Sequence, residues 1–170
     1  MLEVGCGRGE LAGALTGEGY EVVAIDPEAP EGAIFRRTTI EDFDDVDGFD
    51  AVVASRSLHH VHDLGGGLDK LVRLLRGPLV LDEFAWDRLD GATAEQFGIF
   101  LPDWYEEHEG LHGYDALRRE LDARFDERFF EWRPYLYRYD EVDVDEAEER
   151  RLVELGAIAA LGFRYVGTPR

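Results

Sequence analysis

The stretch "SRSLHHVHD", residues 55–63, gathers His59, His60 and His62 beside Ser57 and Asp63. Histidine titrates near neutral pH and can take a proton from a reacting group. His59 and His60 are therefore the candidate catalytic bases; the competing reading is that they pack or cap the segment after a strand. Glu83, closing "LVLDE", is a second candidate, with a turn or cap role as its alternative. A different chemistry stands at the start of the chain, where Gly5, Gly7 and Gly9 fall within "EVGCGRGE". A glycine turn between a strand and a helix lets backbone approach a ligand and aims free N–H groups at an anion. Asp26 ends the next apolar run, where a carboxylate can accept bonds from two ribose hydroxyls. The plainer alternative is a tight turn, with Asp26 capping the bend before Pro27. Cys6 lies between two glycines, where a small residue suffices, and reads as packing rather than as a nucleophile. No Cys/His set has zinc spacing, so no metal is expected.

These residues need elements to hold them. "YEVVAID", "GAIFRRTTI", "FDAVVAS" and "GPLVLDEF" read as strands, the first, third and fourth of them buried. Helical periodicity follows the glycines in "GELAGALTGEG" and precedes the fourth of these strands in "LDKLVRLLR". Strands alternating with helices predict an α/β domain: a mostly parallel sheet covered on both faces. In the second half, "ATAEQFGIFLPDWYEEHEG" reads as two short helices broken at Pro102, and "GYDALRRELDA" as another. "ERFFEWRPYLYRY" alternates and is aromatic, hence a strand, and Pro134 inside it argues for a sheet edge. "DVDEAEERRLVELGAI" is a helix with an acidic first turn, and "LGFRYVG" a closing strand. No repeat or linker divides residues 1–170, which read as one domain.

Composition narrows the partners. The 170 residues carry 38 acids against 18 bases, a formal charge of −20. Such a surface repels phosphate backbones, which argues against nucleic acid. The longest apolar runs are too short for a bilayer, so no membrane association is expected. A cytoplasmic protein acting on a small molecule is the default, with self-association as a homo-oligomer left open.

"LEVGCGRGELAGAL", "VVAIDP", "TIEDF", "FDAVVASRSLHHVHD" and "LLRGPLVLDEF" together resemble the ordered motifs of class I S-adenosylmethionine-dependent methyltransferases of the small-molecule type. The resemblance runs from Leu2 to about Phe84. It implies a Rossmann-like sheet of seven strands in the order 3-2-1-4-5-7-6, the last antiparallel, with S-adenosylmethionine as cofactor. It would set Glu3, Gly5, Cys6, Gly7 and Gly9 around the methionine portion, Asp26 on the ribose and Pro27 near the adenine. Ile40 and Glu41 would approach the adenine edge. Ser55 and Arg56 would lie beside the transferred methyl. Many relatives carry an aspartate just before the position of Ile40; Thr39 stands there instead, a weaker acceptor. In similar enzymes the insertion after strand five covers the acceptor, which makes residues 86–123 a candidate helical cap, its aromatics lining a pocket or forming core.

The glycine spacing, Gly5-Cys6-Gly7-Arg8-Gly9 followed by Glu10, departs from the dinucleotide pattern, which needs glycine at position 10. No Asn-Pro-Pro-Tyr or Asp-Pro-Pro-Tyr follows the fourth strand, which disfavours base-amine or glutamine-amide acceptors. The expected activity is methyl transfer to a small-molecule acceptor; the alternative is a non-catalytic cofactor-binding or partner subunit. The first strand has only Leu2 to Val4, against a typical ~5–6 residues. This predicts a chain truncated at its N-terminal part, or one covered there by a partner.

Overall fold

The computed structural model describes residues 1–44 and 48–170. Seven strands form one sheet: β1 Leu2–Val4, β2 Val23–Asp26, β3 Phe35–Arg37, β4 Val52–Ser55, β5 Leu79–Phe84, β6 Phe125–Arg133 and β7 Gly162–Pro169. Their order is β3-β2-β1-β4-β5-β7-β6, as the resemblance implies. The first five run parallel, and β7 is antiparallel to both β5 and β6. Register sets the chemistry of the upper edge: Val4 lies between Ile25 and Ala54, and Ser55 faces Asp82.

Alternate side chains of a strand point to opposite faces. Leu2, Val4 and Ile25 therefore join one core with Leu64, Leu68 and Leu71 of helix α2, Leu64–Leu74. Leu117 and Leu121 of helix α5, Tyr114–Arg124, complete it. Ala24 turns the other way, into a core with Ala12 of helix α1, Glu10–Gly17. A third cluster, Phe84, Leu89, Ala94, Trp104, Leu136 and Leu161, packs the end of β5 against helices α3 (Gly91–Phe97) and α4 (Leu101–Glu107). Helix α6, Glu146–Glu154, precedes β7.

Four local readings change. The strand expected through Pro134 stops at Arg133, because the ring offers no N–H and fixes φ; β6 is nonetheless the edge strand. The break in the helical pair is at Gly98, which ends α3 with φ +66, and Pro102 lies in the first turn of α4, where no N–H is missed. Helix α2 begins at Leu64, four residues before the visible periodicity. Asp63 caps it by accepting from Gly66 N at 2.9 Å, and the poor helix propensity of Gly65–Gly67 hid the first turn. Finally, the strand expected over "GAIFRRTTI" keeps only Phe35–Arg37.

Candidate functional site

An open cleft of about 1080 Å³ lies over the carboxyl ends of β1, β2 and β4. Of the residues singled out from the sequence, Glu3, Gly5, Cys6, Gly7, Asp26, Pro27, Ile40, Glu41, Ser55, Arg56, His59 and His60 all line it. Gly9 does not. It has φ +83, and a Cβ there would come within 2.6 Å of the Phe35 ring, so it makes the close turn into α1 from behind.

The glycine turn is held by β2. Gly5 N and Cys6 N both donate to Ile25 O, at 2.8 and 3.1 Å. Asp26 ties the turn from the side: Oδ2 accepts from Gly7 N at 3.0 Å and Oδ1 from Glu28 N at 2.8 Å. Each of those oxygens keeps acceptor capacity. Gly5 and Gly7 serve different ends. At Gly5 (φ +75) a Cβ would stand 2.1 Å from Ser57 Cβ, whereas at Gly7 (φ +49) nothing lies within 4 Å. The first glycine lets β4's following loop close in; the second keeps the cleft open.

Glu3 is buried at the floor, and its Oε2 has no hydrogen-bond partner. Burial, reinforced by the charge of Asp26, pushes its carboxyl up to about 6, against an opposing hydrogen bond from the Ala12 backbone. Cys6 is pushed up to about 11 by burial and by Glu3 and Asp26, so it stays a thiol at neutral pH. Thr39 spends its hydroxyl on a local turn, accepting from Asp42 N at 3.2 Å.

The opposite wall is the histidine loop. Glu83, 1% exposed, reaches across from β5 and accepts from Ser57 N at 2.8 Å and Leu58 N at 2.6 Å through Oε1. Its Oε2 lies 2.6 Å from His59 Nδ1. An ionised carboxylate only accepts, so Nδ1 is the donor of this contact, and in the neutral imidazole that leaves Nε2 as the acceptor. The loop is fixed further by Ser57 Oγ donating to Val4 O at 2.7 Å and by Arg56, held at φ +53. His60 stacks obliquely on His59 at 4.2 Å. Burial and the neighbouring His59 hold its pKa below the ordinary imidazole value. The segment between α4 and α5 clamps this loop: His112 N donates to His59 O at 2.9 Å and His112 Nε2 to Val61 O at 2.8 Å.

Glu83 and His59 are both candidates in the sequence, but their pairing is not visible there. Tyr135 was missed altogether. It lines the cleft with its ring stacked on Phe84, centroids 4.0 Å apart and planes 8° from parallel. It lay hidden in what read as an uninterrupted aromatic strand. Among the described residues no group of three or more His, Cys, Asp or Glu could hold a metal ion, and no helix is long and apolar enough to cross a membrane.

A seven-stranded sheet in this order, with a glycine turn and an acid at adjoining strand ends, defines the Rossmann-like methyltransferase architecture. The chain belongs to the methyltransferase-domain family, whose model matches residues 1–134. It is similar to the ubiquinone biosynthesis O-methyltransferase of Rhodopseudomonas palustris, with 34% identity over 89 residues. That match covers 45% of this chain and 35% of the relative's length. Among solved structures, a methyltransferase from an antibiotic biosynthesis pathway of Anabaena variabilis gives a TM-score of 0.65 at 15% identity, covering 98% of this chain and 89% of that one. The N-methyltransferase NodS of Bradyrhizobium japonicum, solved with S-adenosyl-L-homocysteine, gives 0.60 at 16%, covering 99% and 76%. At these identities the structural likeness establishes the fold.

Proposed function

We propose that this chain binds S-adenosylmethionine in the cleft and methylates a hydroxyl oxygen of a small-molecule acceptor in the cytoplasm. The residues present fit such a donor. Gly7 opens onto free space, and the orphaned Oε2 of Glu3 is an acceptor awaiting a cationic N–H group such as an amino-acid ammonium. Asp26 would take the ribose, Gly5 to Gly7 the methionine portion, and Pro27, Ile40 and Glu41 the adenine side. When bound, that donor supplies a methyl group on a sulfonium sulfur, which needs positioning more than activation.

The chain's own task is the acceptor proton. The observation that carries the proposal is the buried His59–Glu83 pair at 2.6 Å. Glu83 fixes the tautomer and orientation of His59, and Nε2 takes the hydroxyl proton as oxygen gains its methyl group. The clamp by His112 keeps the loop from yielding. In this reading segment 86–123, none of which lines the cleft, serves by bracing the histidine loop through His112. The dyad favours an enzyme over a non-catalytic subunit, which would need no oriented base.

Calorimetry with S-adenosylhomocysteine and with NAD tests the donor: binding of the first alone is expected, and binding of NAD instead overturns the assignment. Methyl transfer from labelled S-adenosylmethionine to a panel of hydroxylated metabolites tests the reaction. Transfer confined to amines would place the acceptor atom elsewhere.

A further inference from the structure

Glu149 is fully buried in α6, yet the charge partners of that helix lie on its outer turns. Its carboxylate instead collects three consecutive backbone donors. Oε1 accepts from Tyr135 N at 2.7 Å and Leu136 N at 2.9 Å, and Oε2 from Tyr137 N at 2.8 Å. These N–H groups open the short 3-10 turn Leu136–Arg138, just after Pro134 ends β6. Three charge-assisted bonds offset the cost of burying the carboxylate, and they fix one backbone position with little freedom left.

The residue so fixed is Tyr135. Among the described residues lining the cleft, it alone comes from the chain beyond His62. One face of its ring is taken by Phe84, which also meets His59 edge-on with centroids 5.9 Å apart. Its hydroxyl has no hydrogen-bond partner among the described residues. Burial pushes that hydroxyl up to about 12, so it remains a donor throughout the working range. The family model's match ends at residue 134, just before Tyr135 and well before Glu149. The arrangement repeats that of Glu83, which gathers Ser57 N and Leu58 N and seats His59. Two buried glutamates, from opposite halves of the chain, each fix a turn that presents one ring to the cleft.

We propose that Tyr135 contacts the acceptor, by ring stacking and hydroxyl donation, and that Glu149 is the positioning residue that aims it. This rests on the methyl-transfer reading above. The probe is catechol, which offers a flat ring and a hydroxyl, titrated into protein saturated with S-adenosylhomocysteine. Tyr135→Ala should weaken catechol binding about tenfold, the scale of one stacking contact with one hydrogen bond, while S-adenosylhomocysteine affinity stays within about twofold. Tyr135→Phe should lose part of this. Glu149→Ala should give a comparable loss of catechol affinity and faster amide exchange at residues 135–137 in the folded protein. Glu149→Gln keeps an acceptor oxygen and should fall between, which covers the case in which the alanine variant does not fold. Catechol affinity unchanged in folded Tyr135→Ala, or unchanged in both Glu149 variants, overturns the proposal; so does a wild-type complex that does not bind catechol. Failure of S-adenosylhomocysteine to bind wild type sinks the underlying reading instead.

Discussion

His59 Nδ1 and Glu83 Oε2 stand 2.6 Å apart although 24 residues separate them in sequence. The contact exists because β4 and β5 are parallel neighbours in register, Ser55 opposite Asp82, so the loop after one strand meets the end of the other. If His59 takes the acceptor proton, His59→Gln should lower turnover about 100-fold, the usual contribution of a general base. S-adenosylhomocysteine affinity should be nearly unchanged. Glu83→Gln should lower turnover less and also loosen the loop, since Ser57 N and Leu58 N share the same carboxylate. Steady-state kinetics beside calorimetry checks this; an equal drop in binding and turnover for His59→Gln argues for a packing role.

Asp26 ties the glycine turn through Gly7 N and the following bend through Glu28 N. Asp26→Ala therefore removes both an internal tether and a ligand acceptor. Loss of S-adenosylhomocysteine affinity of about 1.5–3 kcal/mol is expected, the range for bonds to a charged group. Isothermal titration of a variant with native circular dichroism decides it, and undiminished affinity removes Asp26 from the site.

Gly5 and Gly7 should separate folding from binding. Gly5→Ala would drive a methyl group into Ser57 Cβ, 2.1 Å away, and break the packing that seats the histidine loop. Its melting temperature should fall steeply. Gly7→Ala meets nothing within 4 Å, so its folding cost is the left-handed backbone alone, about 1–2 kcal/mol. Its methyl group enters the cleft, and ligand affinity should suffer more than stability. Thermal melts and titrations of both variants, compared side by side, would expose the reverse ranking if the assignment were wrong.

The sheet was legible because its signals are local. Apolar runs ending at Asp26, Ser55 and Phe84, with a glycine turn after Val4, announce parallel strands whose upper ends meet. The lining of the cleft was legible for the same reason: of the residues singled out at the glycine turn, Asp26 and the histidine loop, all but Gly9 reach it from the ends of strands or the loops just beyond. What stayed hidden depends on distant partners. Glu149 reads as one acid in a charged helix, and nothing in "AEERRLVE" says that it alone turns inward to three amides. Tyr135 reads as strand until Pro134 is seen to end β6. The start of α2 was masked because Asp63 supplies a cap that outweighs the weak propensity of three glycines.

Glu3 links the site to pH. Its carboxyl is raised from an ordinary 4.5 to about 6, chiefly by burial. A folded-state value above the unfolded one means the native protein holds its proton more tightly. Stability from this group is therefore fully present below about pH 4.5 and is lost as pH rises through about 6. The loss amounts to about 2 kcal/mol, from 1.36 kcal/mol for each pKa unit. Glu3→Gln removes the dependence, so the variant should melt higher than wild type at pH 8 and lose that advantage toward pH 4.5. Ligand binding should run the other way. A cationic group against Oε2 favours the ionised form, so the affinity of wild type for S-adenosylhomocysteine should rise between pH 5 and 7 and level off above. Melting curves of the ligand-free proteins, paired with titrations over this range, test both signs. A wild-type affinity that stays flat, or a Glu3→Gln variant that binds as tightly at pH 8, would show that Glu3 does not meet the ligand.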